Sequence, residues 1–153
     1  MLINSPNNEI IDIENIILDL NGTLANYGIV SSKTKSLIKK LKELNYRIIL
    51  ISGDIRGNAS VIAKDLDIEL LLADNSNLKA QQIKKFDPQK TAAIGNARID
   101  IGTFINAKIS IATLQHEGIH TDIIKYVDII VPSIEDALNL FIETKALEGT
   151  LRI

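Results

Sequence analysis

Short runs of isoleucine, leucine and valine alternate along this chain with longer stretches whose apolar residues recur every three or four positions. That alternation marks an α/β domain built around a mainly parallel sheet, because each helix-like stretch serves as a crossover between two strands. Residues 10–13 and 16–19 read as strands, the first an edge hairpin partner for the second. Leu37, Ile38, Leu41 and Leu44 share one helical face behind a Ser31 or Ser32 cap, while Lys33, Lys35, Lys39, Lys40 and Lys42 form its solvated face. A continuous apolar strand at 47–51 leads into a helix at 58–66, and a strand at 69–72 into a helix running to Phe86 and capped by Asn77. Strands follow at 91–94, 108–112 and 128–131, with helical segments at 98–107 and 121–126 between them. Ser133 caps a last helix carrying Ile134, Ala137, Leu138 and Phe141, and the tail 144–153 fits neither period.

The 153 residues suffice for one buried core, and with 46% hydrophobic and 24% charged residues the chain is too apolar for disorder. The absence of cysteine excludes a disulfide framework, a thiolate metal site and a cysteine nucleophile, so a reducing cytoplasm is the expected compartment. The N-terminal segment lacks the basic and apolar regions of a leader, and charges interrupt every apolar run before membrane-spanning length. No membrane association is expected. A net charge of −2 provides no electrostatic footprint for nucleic acid. With no internal repeat and no linker rich in Pro, Gly or Ser, residues 1–153 are expected to form a single domain, and crossovers this short leave no large cap domain. A site left open in this way would admit a large substrate, or a small one enclosed by a second copy in a homo-oligomer.

In an open parallel sheet, ligands bind beyond the carboxyl ends of the strands. Three strand ends carry suitable groups: Asp19-Leu20-Asn21-Gly22-Thr23, Ser52-Gly53-Asp54, and Gly95-Asn96-Ala97-Arg98-Ile99-Asp100. Lys79 lies on the helix before the last of them. A carboxylate can act as a nucleophile, a hydroxyl and an ammonium can hold phosphoryl oxygens, and oxygens from two loops can hold a hard divalent cation. Asn21-Gly22 by itself is an ordinary turn signal, and the joint pattern is what points to a phosphate site. The chain contains neither a Gly-x-Gly-x-x-Gly nor a P-loop.

These residues resemble the four motifs of the haloacid dehalogenase-like (HAD) phosphohydrolase superfamily, in its soluble P-type-ATPase-like branch. Ile17-Leu18-Asp19-Leu20-Asn21-Gly22-Thr23-Leu24 matches Asp-x-Asp-Gly-Thr at the nucleophile, the glycine and the threonine. Ile49-Leu50-Ile51-Ser52 is similar to the second motif, Lys79 to the third, and Gly95, Asn96 and Asp100 to the fourth, Gly-Asp-x-x-x-Asp. Glu117-Gly118, Val131-Pro132-Ser133 and Thr150-Leu151-Arg152 look like the same branch. The resemblance implies a three-layer α/β/α Rossmann-like HAD fold and a phosphohydrolase or phosphotransferase acting on a phosphorylated substrate. Asp19 would form an aspartyl-phosphate, Ser52 and Lys79 would hold the phosphoryl group, and Leu20, Gly22, Thr23 and Gly53 would help to cradle it. Asp19, the Asn21 carbonyl, Asn96 and Asp100 would bind Mg²⁺.

Two departures stand out. At Asn21 the superfamily's acid/base aspartate is an amide, which can neither donate nor accept the catalytic proton, so slow turnover is expected. At Asn96 a carboxylate ligand is again an amide, which removes one negative charge from the metal site. The alternative is a catalytically weak HAD-like module that binds phosphate or a partner. Asn21-Gly22 is also a dipeptide prone to deamidation, which would recreate aspartate at the acid/base position. Lys84, Lys85 and Lys90 rival Lys79, of which Lys84 and Lys85 suit the exposed helix face. Asp54 suits helix capping as well as a site role, Arg98 suits solvent, and His116 and His120 lack a second ligand at metal spacing.

Overall fold

The computed structural model describes residues 2–4, 10–55 and 57–151. Leu2–Asn4 (β1) and Ile10–Asp12 (β2) form an antiparallel pair with Ile3 in register with Ile11. Beyond them lies a sheet of Asn15–Leu18 (β3), Arg47–Ser52 (β4), Glu69–Leu72 (β5), Thr91–Gly95 (β6), Ile109–Thr113 (β7) and Ile129–Val131 (β8). Its order is β5-β4-β3-β6-β7-β8 and every neighbouring pair is parallel. The expected hairpin between β2 and β3 does not form. Both edges of β3 are occupied, Ile17 being in register with Ile49 of β4 and with Ala93 of β6. Glu14 extends both ladders, its N–H donated to Lys90 and its carbonyl accepting from Arg47, so β2 is left to pair with β1.

The crossovers carry Ser32–Glu43 (α1), Ala59–Leu66 (α2), Ser76–Ile83 (α3) and Ile101–Phe104 (α4), and Ile134–Ile142 (α5) and Thr144–Thr150 (α6) follow the last strand. Alternate residues of β3 feed two cores. Ile16 and Leu18 pack with Ile38, Leu41, Phe141 and Leu147, while Ile17 packs on the opposite face with Ile83 and Phe104. The result is the three-layer α/β/α arrangement. Among the described residues no helix is long and apolar enough to cross a membrane.

The helix ends show which local signals prevail. Ser31 and Ser133 cap α1 and α5, their hydroxyls accepting the N–H of Thr34 at 3.0 Å and of Asp136 at 3.2 Å. The α3 cap is Asn75 and not Asn77: its Oδ1 accepts the Leu78 N–H at 2.9 Å, and the helix then buries Lys79 and Ile83 one turn apart. The helix expected over 98–107 is a 3₁₀ turn at Arg98–Asp100 followed by the short α4. It stops early because Asn106 bonds back to the Gly102 carbonyl at 2.8 Å. The ambiguous tail forms α6 around buried Leu147, and Arg152 lies outside the described residues.

The chain winds from β3 outward to β5 on one side, then from β6 outward to β8 on the other. The crossovers therefore diverge at the carboxyl ends of β3 and β6, which opens a crevice there.

Candidate active site

Asp19 leaves β3 at this crevice, its N–H still donated to Ile94 of β6 at 3.0 Å. The chain then makes a wide turn, closed by Leu24 N–H to the Asp19 carbonyl at 3.2 Å and Ala25 N–H to the Leu20 carbonyl at 2.8 Å. Asn26 and Ile29 exchange both backbone bonds around Tyr27 (φ 49°) and Gly28 (φ 83°), a tight hairpin turn. Gly22 has φ 74°, and a Cβ there would come within 2.5 Å of Asn96 Nδ2, so the site requires glycine. Its N–H is donated to Ala25 at 3.0 Å, which keeps that nitrogen from attacking the Asn21 carboxamide and disfavours deamidation. The Gly22 and Thr23 N–H groups, expected in the phosphate cradle, close the turn instead, Thr23 donating to Leu20 at 3.4 Å. The buried Thr23 hydroxyl is likewise turned from the cavity and donates to Asn96 Oδ1 at 3.3 Å.

α3 brings Lys79 beneath Asp19, and the loop after β6 brings Asp100 to the same ammonium. Lys79 Nζ lies 2.5 Å from Asp19 Oδ1 and 2.7 Å from Asp100 Oδ1, and the lysine is only 2% exposed. Lys84 and Lys85 are exposed, and Lys90 pairs with Glu14 at 2.6 Å, so of the four lysines only Lys79 reaches Asp19. Asp100 Oδ2 accepts the N–H groups of Asn96 and Ala97 at 3.1 and 3.0 Å, and only a glycine at 95 leaves room for that carboxylate. Burial, then the charge of Asp100, push the Asp19 carboxyl up to about 7 against the pull of Lys79. Burial works to lower Lys79, but Asp100 and then Asp19 outweigh it and hold the ammonium above the ordinary lysine range. Lys79 keeps its charge, and Asp19 is the group that yields.

A cavity of about 250 Å³ opens above this triad, walled by Asp19, Asn21, Ser52, Gly53, Lys79 and Asn96. Ser52, at the end of β4, accepts the Asp54 N–H at 3.1 Å, and its hydroxyl hydrogen remains for a ligand. Asp54 also accepts the Ala59 N–H at 2.7 Å and so caps α2. Asn96 donates through Nδ2 to the Gly118 carbonyl at 2.9 Å. Asn21 Oδ1 is buried with no hydrogen-bond partner. Among the described residues no three His, Asp or Glu side chains converge to hold a metal by themselves. The donors are nonetheless all oxygens, one acceptor is orphaned, and two buried carboxylates face a single ammonium. That set suits a hard cation such as Mg²⁺, which ordinarily takes one or two carboxylates and completes its shell with water and phosphate.

Sequence reasoning left five rim residues unassigned: Ile55, Asp74, Ala97, Ile99 and Glu117 also line the cavity. Glu117 is on the loop after β7, a strand end like the other three, and only the sheet order reveals that β7 borders β6. Arg98 and His120 lie outside the cavity. Arg98 pairs with Asp122 at 3.3 Å, and His120 caps the 3₁₀ turn Thr121–Tyr126 by accepting the Asp122 N–H at 3.2 Å.

No protein-family model matches the chain. Over 96 residues, 61% of the chain, it is 32% identical to a copper-exporting P-type ATPase of Staphylococcus aureus strain JH9. That match spans only 12% of the ATPase. Among solved structures, the cobalt-bound deoxy-D-mannose-octulosonate 8-phosphate phosphatase of Haemophilus influenzae superposes with a TM-score of 0.73 at 16% identity, over 90% of this chain and 92% of that one. The corresponding Moraxella catarrhalis phosphatase, in complex with magnesium, phosphate and KDO, gives 0.72 at 16% identity over 90% of each chain. A Streptomyces avermitilis protein ascribed to the HAD hydrolase family gives 0.71 at 17% identity, over 95% of this chain and 91% of that one. The parallel sheet, its order and these likenesses agree that the chain is built on the haloacid dehalogenase-like fold.

Proposed function

We propose that this chain is a Mg²⁺-dependent phosphatase in which Asp19 is the nucleophile. The observation that carries the reading is the placement of Asp19 at the end of a central strand, against a buried lysine and at a cavity that Ser52 also lines. An Asp19 oxygen attacks phosphorus as the bond to the leaving oxygen breaks, giving an aspartyl-phosphate, and water then attacks that phosphorus and releases phosphate. Lys79 and Ser52 hold phosphoryl oxygens, and Asp100 holds Lys79. Asp19, the Asn21 carbonyl and Asn96 would hold the ion, with Asp100 acting through water. The bound ion supplies positive charge that offsets the carboxylates and the phosphoryl oxygens. The phosphatases that share the fold, one with magnesium and phosphate and one with cobalt, support this choice. The cavity shares Ile99 with two shallow grooves of about 470 and 480 Å³, which leaves room for the leaving group.

Asn21 cannot move a proton, so turnover is slow on poor leaving groups unless another side chain supplies one. The same amide favours the second reading, a module that binds phosphate or a partner without turnover. Hydrolysis of p-nitrophenyl phosphate by the wild type and Asp19→Asn, with Mg²⁺ and with chelator, separates the two. The expected result is Mg²⁺-dependent turnover that Asp19→Asn abolishes. A wild type that binds Mg²⁺ and phosphate without turnover would establish the binding module instead.

A further inference from the structure

We propose that Glu117 supplies the acid and base that Asn21 cannot, an inference that rests on the phosphatase reading. The carboxylates lining the cavity, among the described residues, are Asp19, Asp74 and Glu117. Asp19 is the nucleophile. Asp74 stands on the Ser52 wall, where its Cα would be 2.9 Å from a Cβ placed on Gly53. Glu117 stands on the Asn21 wall, its Cβ 3.1 Å from where a Gly22 Cβ would lie, so its side chain rises beside the position of the missing aspartate.

The loop that carries Glu117 is fixed to the nucleophile turn on one side and to Asn96, on the loop after β6, on the other. Gln115 Nε2 donates to the Thr23 carbonyl at 2.8 Å, Asn96 Nδ2 to the Gly118 carbonyl at 2.9 Å, and the His120 N–H to the Asn96 carbonyl at 3.0 Å. Glu117 Oε1 accepts the Tyr27 N–H at 3.3 Å, a long bond that ties the side chain to the same turn while leaving it exposed at the mouth. Asp19, Lys79 and Asp74 line the same cavity, and Arg98 and His120 line the adjoining groove with it. In the first step the protonated carboxyl gives its proton to the leaving oxygen as the P–O bond breaks and the Asp19 O–P bond forms. In the second the carboxylate takes a proton from the attacking water as the Asp19 O–P bond breaks, which restores the acid.

Glu117→Gln tests this without disturbing the loop, because the amide oxygen can still accept the Tyr27 N–H. With p-nitrophenyl phosphate, whose leaving group needs no proton, the variant should release one equivalent of p-nitrophenol at the wild-type rate. It should then turn over at least ~100-fold more slowly, with phosphoenzyme accumulating by intact mass. With ethyl phosphate, whose leaving oxygen needs the proton, phosphoenzyme formation itself should slow by a similar factor. Asn21→Asp added to Glu117→Gln should restore both. Glu117→Gln indistinguishable from wild type, or both substrates slowed without phosphoenzyme and without rescue, would overturn the assignment. So would the same signature in Asp74→Asn alone. Wild-type turnover with any of these results sinks only the role of Glu117, whereas an inert wild type sinks the phosphatase reading as well.

Discussion

Two ion pairs of nearly equal length behave as opposites in this molecule. Lys35 meets Asp65 at 2.6 Å on the surface, with side chains 47% and 55% exposed, while Lys79 meets Asp19 at 2.5 Å with side chains 2% and 11% exposed. Length therefore says little about what a pair does. The surface pair exchanges hydration for a contact that water and salt screen, a near balance. The buried pair loses that hydration, and Asp100 adds a second carboxylate to the same ammonium. Replacing a buried ion pair by packed apolar groups is often neutral or stabilising. A triad of this kind is therefore better explained by chemistry at Asp19 than by the stability of the fold.

The largest effect follows from removing the shared cation. Lys79→Met leaves two carboxylates in a buried pocket with no counter-charge, and loss of one partner from such a site costs about 3–5 kcal/mol. Urea unfolding at pH 8 in chelator should show a loss of that order, and a smaller one at pH 5.5, where Asp19 takes up a proton instead. A loss under ~1 kcal/mol at pH 8 would place Lys79 with the surface lysines and break the contrast.

A second effect is carried by Asp19 alone. Its folded value of about 7 lies above the 3.8 of the free carboxyl, so the folded state binds the proton more tightly. Stability from that proton is complete below pH ~4 and lost as pH rises through about 7, on the order of a few kcal/mol across the window. Chemical denaturation of the metal-free protein between pH 5 and 8 should show stability falling with pH, and Asp19→Asn should remove this part of the slope. A flat profile over that range in the wild type, matched by Asp19→Asn, would mean that Lys79 dominates and that the proton is not retained.

The contrast also bears on what the sequence disclosed. Asp19, Ser52, Lys79 and Asp100 were legible because strand ends and a helix register are local, and the sheet then brings them to one cavity or to its ammonium. The Thr23 N–H was expected in the phosphate cradle and donates to Leu20 within the turn, while its hydroxyl turns to Asn96, a residue 73 positions away, which nothing local shows. Glu117 lay outside the expected site for a similar reason: its loop adjoins the turn after Asp19 only because β7 lies beside β6. The strand at 10–13 was recognised but not its partner, since pairing depends on which edges are already taken. Asn75 and Asn77 are equally good caps in sequence, and the burial of Lys79 and Ile83 distinguishes them.

The smallest effect is the one that tests exposure as the deciding variable. Double-mutant cycles at Lys35–Asp65 should give a coupling within ~1 kcal/mol that fades as salt is raised to 1 M. Arg47–Glu69 sets the upper limit for the surface. Its Nε and Nη2 reach the same Oε2 at 3.0 and 2.5 Å, and its guanidinium lies 4.9 Å from the Phe86 ring centroid. The stacking restrains the arginine before it meets its partner, so less side-chain entropy is lost in forming the pair. Its coupling should exceed that of Lys35–Asp65 by a few tenths of a kcal/mol and persist better in salt, because a cation–π contact is only partly screened. A coupling above ~2 kcal/mol at either pair would show that geometry outweighs exposure, and the Lys79 triad would then differ from the surface pairs by its second carboxylate alone.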